Sequence, residues 1–455
     1  MKILLWHGYL LTGSGSNVYT ANVARSWRRR GHDVLVLCQE RHPETLDFVD
    51  DQGTFAKDNS RIDWAGAEGS EPSDGRCRVA RPDIGDILPV YVYDAYEGIE
   101  ARTFVDLSEA ELQNYTARNV AALSTAIEDF DPDVIITGHE VMGPYIASRA
   151  CGPIARPYVA KLHGSALEYA VKKQERYRHY AIEGLSGATR VVGGSHYMVG
   201  EAAANVPGWE DRAAVVNPGC DVKLFTPQPR SSDQKVVGFV GKLIASKGVH
   251  NLLAALPLSR EVKRTVIVGY GGFEAKLRDM AAALHAGDLE ALRALSERGE
   301  DGAPLPELVR FLDDVPDDYV ERARGLEIEF TGRLEHGPLS GLLPTFDVLV
   351  VPSVVPEAFG MVAAEAAAAG VLAVVPSHSG IAEAGAAVEE AIGRPEWLTF
   401  DHRDPIIGIA AAIDRVLSVD AGERQEMGRR ASTLACMRWS WDRVGDRLLE
   451  LAQEP

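Results

Sequence analysis

An α/β fold of two doubly wound, Rossmann-like domains is the class this sequence predicts, on three observations. Short apolar runs alternate with helical sequence along most of the chain, the pattern of βαβ units whose product is a parallel sheet. At 455 residues the chain is too long for one core and fits two domains of roughly 200 residues each. A Pro-rich stretch near residues 225–235 divides the alternation into two sets.

The first set, residues 1–224, opens with a strand at 2–6, a loop at 8–16 and a helix at 18–30, ended by Gly31 before a strand at 34–38. Residues 40–85 are polar, rich in Gly, Asp and Ser and without periodicity, and read as loops. A strand at 88–92 and a long amphipathic helix at 109–130 follow, then buried strands at 134–137, 158–162 and 190–193. The second set, residues 236–430, has strands at 236–240, 265–268, 328–331, 348–351 and 372–375. Within it, residues 273–326 are longer than an ordinary crossover and read as added helices. A terminal helix at 431–455, carrying Trp439 and Trp441, is expected to cross back to the first domain.

Composition narrows the function. With 46% hydrophobic and 25% charged residues the chain reads as an ordinary globular protein. A net charge of −19 argues against nucleic acid or anionic lipid as the main partner, since both need a basic face. The run Arg28-Arg29-Arg30 sits where a helix ends, and cations there complement the helix C-terminus. Five scattered cysteines contain no C-x-x-C pair, which predicts neither a disulfide framework nor a zinc site. The start of the chain reads as a strand and not a signal peptide, and no apolar run reaches the ~18 residues of a membrane span, so the expected setting is cytoplasmic.

The most informative stretch is VLVVPSVVPEAFGMVAAEAAAAGVLAVVPSHSGIAEA, residues 348–384. A buried strand runs into a Pro-Ser break, then into a helix starting near Met361 and stopped by Gly370. Strand, loop and helix N-terminus in that order is where open parallel sheets bind anions. The N–H groups of Gly360, Met361 and Val362, beside Phe359, would face a phosphate with no side chain at Gly360 to block it. Glu357 lies in the loop and Glu365 about one turn into the helix. Their expected separation is well beyond the ~5 Å of a retaining glycosidase pair, so they read as hydroxyl acceptors gripping two ends of one ligand.

Lys242 and Lys247 follow the strand at 236–240, bracketed by Gly241 and Gly248. Two cations at a strand's C-terminal end can hold one diphosphate as charge develops on it. His163 ends the strand at 158–162 ahead of Gly164, and His139-Glu140 is a second polar pair at the same edge. Gly13-Ser14-Gly15-Ser16 lacks the third glycine of a dinucleotide turn, because position 18 is Val, although Glu40 does follow the second strand. Asp131-Pro132-Asp133 reads as a helix stop and not as a metal site, and no other cluster has metal-ligand spacing.

Five motifs in order resemble those of the retaining GT-B glycosyltransferases, the group 1 or GT4 family. They are the glycine loop with Gly15, His163-Gly164, Asn217-Pro218-Gly219-Cys220-Asp221, Gly241-Lys242 through Lys247-Gly248, and Glu357 with Glu365 seven residues beyond. Two departures stand out: Lys242 where arginine is common, which loses a bidentate fork, and Ser379 in place of the first glycine of a G-G-x-x-E segment.

The resemblance implies two domains facing across a cleft and no cofactor beyond a nucleoside diphosphate sugar, with a UDP-sugar favoured. It gives Lys242, Lys247 and the 360–362 amides the diphosphate, Glu365 the ribose and Glu357 a sugar hydroxyl. His163 meets the sugar on its reacting side, backbone near Leu334 meets the base, and His139 and Glu140 are acceptor candidates. The expected reaction is metal-independent transfer to a hydroxyl with retention. Two alternatives share the fold: a nucleotide-sugar epimerase, which needs no acceptor, and a non-catalytic nucleotide-sugar-binding subunit.

Overall fold

A computed structural model describes residues 1–67, 72–92, 100–228 and 235–454. The chain divides into two compact units, Met1–Pro218 with Trp441–Pro455, and Gly219–Ser440. The boundary falls inside the Asn217–Asp221 motif. Asn217 Nδ2 donates to the Gly194 carbonyl at 2.9 Å in the first unit, and Asp221 Oδ1 accepts from the N–H groups of Lys223 and Leu224 in the second. Phe225, expected in a linker, is 1% exposed in the core of the second unit, and residues 229–234 of that expected linker lie outside the described residues.

The first unit's strands are β1 (Lys2–Trp6), β2 (Asp33–Leu37), β3 (Asp51–Phe55), β4 (Ile62–Gly66), β5 (Arg76–Arg81), β6 (Ile87–Val90), β7 (Glu100–Thr103), β8 (Val134–Gly138), β9 (Val159–Lys161), β10 (Arg190–Gly193) and β11 (Ala213–Val215). Among the described residues nine form one sheet, ordered β11-β10-β9-β8-β1-β2-β5-β3-β4, and every pair is parallel except β3 with β4. The central strands β1, β2 and β8 are buried almost throughout, because helices cover both faces of a doubly wound sheet.

Residues 51–81, expected as loops, instead add three strands to that sheet. Their sequences hide this, since β4 exposes four of its five residues and so carries no apolar run. Ion pairs hold this edge: Arg76 with Asp51 at 2.7 Å, Arg78 with Asp33 at 2.9 Å, and the buried Arg28 with Asp50 at 2.7 Å. The strand expected at 88–92 is β6, which pairs with β7 apart from the main sheet.

The first helix, Gly15–Arg29, starts three residues earlier than expected, with Ser14 in the extended conformation as its N-cap. Against it packs the helix Trp441–Gln453. Ser26 Oγ donates to Asp442 at 2.6 Å, Trp27 Nε1 donates to the Gly445 carbonyl at 3.0 Å, and a Cβ on Gly445 would meet that indole nitrogen at 2.9 Å. Arg29 and Arg30 pair with Asp442 and Asp446, so the arginine run fastens tertiary structure besides ending a helix. The expected single terminal helix is two, Ala421–Arg438 and Trp441–Gln453, broken at Trp439-Ser440 and belonging to different units.

The second unit's strands are β12 (Val236–Val240), β13 (Arg264–Val268), β14 (Glu327–Gly332), β15 (Val348–Val350), β16 (Leu372–Pro376) and β17 (Thr399–Phe400), all parallel, ordered β14-β13-β12-β15-β16-β17. Between β13 and β14 lie the added helices Glu274–Ala286, Leu289–Glu297, Pro306–Phe311 and Tyr319–Arg324. Among the described residues no helix is long and apolar enough to cross a membrane.

Candidate functional site

In the first unit, the adjacent strands β9, β8 and β1 each run out into a histidine: His163, His139 and His7. The rings of His139 and His163 lie 4.9 Å apart and those of His7 and His139 5.8 Å apart, with Tyr9 and Tyr91 at 5.1 and 4.8 Å from His139. Burial keeps all three imidazoles neutral at physiological pH. It pushes His7 down to about 4, and His139 and His163 well below the ordinary value, helped by the neighbouring rings and, for His163, by Lys161. His7 is satisfied by Asn17 at 2.9 Å and Thr20 at 3.1 Å. His139 is 1% exposed, and neither ring nitrogen has a partner among the described residues.

Glu140 is fully buried, and its Oε1 accepts from the N–H groups of His163, at 3.1 Å, and Gly164, at 2.6 Å. Its geometry is therefore that of a residue fixing the turn that presents His163. Lys161, buried beneath that turn with its ammonium 5.1 Å over the Tyr19 ring, is driven down to about 7 by burial. The glycine loop begins the Gly15–Arg29 helix, whose first-turn N–H groups lack intrahelical acceptors. Glu40 Oε2 accepts from the Leu11 N–H at 3.0 Å, so the acidic residue after β2 pins this loop. A cavity of about 240 Å³ is lined by Tyr9, the Ser14–Asn17 turn, Tyr91, His139 and His163 among others.

In the second unit the groups gather at the C-terminal ends of β12, β15 and β16. Lys247 Nζ lies 2.7 Å from Glu357 Oε1, and Ser353 Oγ donates to the same oxygen. Gly248 must adopt a φ of +70° here, and a Cβ would come within 1.9 Å of the Pro352 carbonyl, which is how close the lysine turn lies to the loop after β15. Ala245 N–H donates to Glu300 at 2.7 Å, so the inserted helical segment braces the turn. Lys242 is exposed, with no ion-pair partner among the described residues.

The Glu357 N–H donates to Ser379 Oγ at 3.0 Å, and Gly380 N–H donates to the Glu357 carbonyl at 2.9 Å. His378 Nε2 reaches the Ser353 carbonyl at 3.3 Å and its Nδ1 reaches Ser379 Oγ at 3.1 Å. A carbonyl only accepts, so Nε2 carries the proton and the Ser379 hydroxyl donates to Nδ1. Ser379, His378 and Ser353 thus form one chain of bonds around Glu357, with Ser379 held at a φ of +61°.

Gly360, at φ +85°, caps the helix Met361–Ala368, and a Cβ there would strike Ile381 at 2.8 Å. The Met361 and Val362 N–H groups lie in that helix's first turn. Phe359 is 2% exposed, its ring 5.6 Å from Trp439, so its side chain anchors the turn from the core. Glu365 points from the helix with 15% side-chain exposure, His336 Nε2 is 3.7 Å away, and burial pushes its carboxyl up to about 7. Leu334 is half-buried after β14, next to Arg333, whose guanidinium stacks 5.2 Å over Tyr270.

Several of these groups carry no motif. His7 has the same signal as His163, a histidine ending an apolar strand, and Ser353 and His378 likewise follow β15 and β16. Glu300 has none, since only folding brings the insertion to the lysine turn. Asp131-Pro132-Asp133 is structural: Asp131 is the left-handed C-cap of the helix Glu109–Phe130 and Asp133 accepts from Lys2 N–H at 2.7 Å. Among the described residues no group of three or more His, Cys, Asp or Glu is arranged to hold a metal.

Known proteins give the same two-part picture. A glycosyl transferase 4-like domain matches residues 14–219, and the glycosyl transferases group 1 domain matches residues 307–418. D-inositol 3-phosphate glycosyltransferase of Corynebacterium urealyticum is 30% identical over 252 residues, 53% of this chain and 50% of that protein. An uncharacterized glycosyltransferase of Methanocaldococcus jannaschii is 30% identical over 214 residues, 47% of this chain and 43% of that one. The chain thus spans about half the length of the curated relatives it matches. Among solved structures, sucrose-phosphate synthase of Thermosynechococcus elongatus covers 99% of this chain and 98% of its own at TM-score 0.62 and 18% identity. Anabaena HepE in complex with UDP covers 99% of both chains at TM-score 0.60 and 18% identity. These likenesses establish a GT-B fold. With one of the two domain matches falling in each unit, the chain belongs to the group 1 glycosyltransferases.

Proposed function

We propose that this protein moves a sugar from a nucleoside diphosphate sugar, with UDP-sugar favoured, to a hydroxyl of an acceptor, retaining the anomeric configuration and using no metal. The observation that carries the reading is the Lys247–Glu357 pair, 2.7 Å apart, beside the helix N-terminus capped by Gly360. Lys247, Lys242 and the amides of Gly360, Met361 and Val362 take the diphosphate, where fixed cations and N–H dipoles stabilise the charge that develops on the leaving group. As the diphosphate draws Lys247 away, Glu357 is released to accept from a sugar hydroxyl, still aligned by Ser353 and Ser379. Glu365 accepts from the ribose hydroxyls, and backbone near Leu334 meets the base.

In the first unit, His163, held by Glu140, meets the sugar on its reacting side, and Gly15 lets the donor phosphate approach the loop. His139 meets the acceptor. The bond from the anomeric carbon to the leaving phosphate oxygen breaks as the acceptor oxygen bonds on the same face, and that phosphate oxygen takes the acceptor's proton. No general base from the protein is required. HepE, whose structures hold UDP and UDP-glucose, supports the choice of UDP. The free cysteines Cys38, Cys77, Cys151, Cys220 and Cys436 fit a reducing, cytoplasmic setting.

Calorimetric titration with UDP, GDP and ADP tests the reading. One nucleotide is expected to bind, and Lys247→Ala to weaken it about 10- to 100-fold, the worth of one charge-assisted hydrogen bond. Binding of none of the three would defeat the assignment.

A further inference from the structure

Resting on the transferase reading, we propose that His378 is a positioning residue for Glu357. In its neutral form the ring ties together the two serines that hold Glu357, and a proton on the ring undoes that tie. The consequence is a grip on the donor sugar that weakens in acid while the nucleotide contacts persist. His378 belongs to none of the five motifs in the sequence and reaches the site only because β16 lies beside β15.

Ser353 Oγ donates to Oε1 of the Glu357 carboxylate, and Ser379 Oγ accepts from the Glu357 N–H at 3.0 Å. His378 is half-buried and bonds to both serines. Its Nε2–H donates to the Ser353 carbonyl at 3.3 Å, and its Nδ1 accepts from the Ser379 hydroxyl at 3.1 Å. A hydroxyl has one proton; with Nδ1 taking it, the serine oxygen is left to face the Glu357 N–H with a lone pair. Ser379 sits at a φ of +61°, and these two bonds help to offset the cost of that conformation. The Gly380 N–H, donating to the Glu357 carbonyl at 2.9 Å, keeps the two loops joined without His378. Loss of the ring therefore costs the alignment of Glu357 more than it costs the fold.

Protonation reverses one bond. The imidazolium donates from both nitrogens, so Nδ1 turns a hydrogen toward a serine oxygen that already receives the Glu357 N–H. The hydroxyl proton must then find another acceptor, and the new charge attracts the Glu357 carboxylate, whose Oε1 is already shared by Lys247 and Ser353. Among the described residues, the titratable groups facing His378 are Glu357, from the loop after β15, and His402, from the loop after β17 with its ring 4.8 Å away. Asp401, beside His402, is taken up by Arg403 at 2.9 Å. Burial and His402 outweigh the Ser353 carbonyl and Glu357, so the ring is neutral at pH 7 and takes its proton below the ordinary histidine value.

Calorimetry on the full chain, from about pH 5 to 8, compares UDP with UDP-glucose, UDP-galactose and UDP-N-acetylglucosamine. For whichever UDP-sugar binds best, the ratio of its affinity to that of UDP cancels the shared nucleotide contacts, Glu365 among them. That ratio should fall about 3- to 10-fold between about pH 7.5 and 5 in wild type, and should be low and level in His378→Ala. His378→Asn, whose amide oxygen replaces Nδ1 as acceptor and takes no proton, should restore most of the ratio and hold it level. UDP affinity should follow one pH course in all three proteins. A ratio unchanged in His378→Ala, or a pH slope that survives in His378→Asn, would overturn the inference, as would UDP-sugars that fail to bind while UDP binds. A second measurement needs no ligand. Long-range proton–nitrogen NMR of the imidazoles, with the His378 signal identified by its loss in the variants, should show the Nε2–H tautomer, and Glu357→Gln should lower the pH at which that ring titrates. The Nδ1–H tautomer would equally overturn the inference. Absence of UDP binding in the wild type would instead remove the transferase reading, and this inference with it.

Discussion

The two sheets use the same address for opposite chemistry. In both units, the candidate site side chains follow the C-terminal ends of adjacent parallel strands, β9, β8 and β1 in one and β12, β15 and β16 in the other. In the first unit those ends carry three neutral imidazoles among tyrosines, His7 and His139 buried and His163 half-buried. In the second they carry two lysines, two glutamates and a glycine-capped helix N-terminus. The topology supplies the address, and the residue types at the strand ends set the chemistry it can offer.

The sharpest way to break this comparison is Glu357→Gln. Under the charged reading, kcat falls about 100-fold or more while the thermal transition is unchanged, because one preorganised acceptor is lost from a folded site. UDP affinity should hold or tighten, since Lys247 loses its competing carboxylate; weaker UDP binding would show that the pair does not compete with the diphosphate.

Lys161→Met probes the neutral side. Burial depresses the Lys161 ammonium to about 7, so between pH 7 and its usual value near 10.4 the unfolded chain binds more protons than the folded one. Wild-type stability therefore rises with pH across that window, and the methionine variant should be more stable by about 1–3 kcal/mol at pH 7 and below, the gain fading toward pH 10. Urea denaturation across the range checks this.

Glu365→Gln tests the partly enclosed carboxyl. Its folded value near 7 lies above the unfolded one, so the folded state holds the extra proton and stability falls as pH climbs from about 4.5 to 7. The variant should flatten that slope. Ribose hydroxyls favour the carboxylate, so UDP binding near pH 7 should release a fraction of a proton in wild type and none in the variant, read by calorimetry in buffers of different ionisation enthalpy.

Ser379→Gly should be the mildest. It relieves a left-handed serine but removes the hydroxyl's hydrogen bonds with the Glu357 N–H and His378 Nδ1, opposing changes of about 1–2 kcal/mol, so stability should move by about 1 kcal/mol or less. Any larger cost to kcat than to stability would assign the hydroxyl to aligning Glu357.

Legibility differed between the units for a physical reason. The turn proposed to hold a diphosphate is built from local sequence: a strand, a break, a glycine that tolerates φ +85° and a helix N-terminus, all between Val348 and Ala368. Local geometry leaves a local record. The histidine cluster draws on β1, β8 and β9, far apart in the chain, and only the strand order reveals that His7, His139 and His163 are neighbours. The strands β3 to β5 carry no apolar run in sequence, β4 being exposed at four of five positions, and charge pairs help to hold them.

By itself, then, the sequence determined the α/β class, most central strands and the phosphate-type turns, because backbone periodicity and glycine conformation are properties of short segments. Tertiary structure alone decided that Lys247 rests on Glu357, that Glu300 braces the lysine turn and that Glu140 holds the His163-Gly164 turn. Each of these depends on which strand lies beside which, and that choice is made by burying the whole sheet.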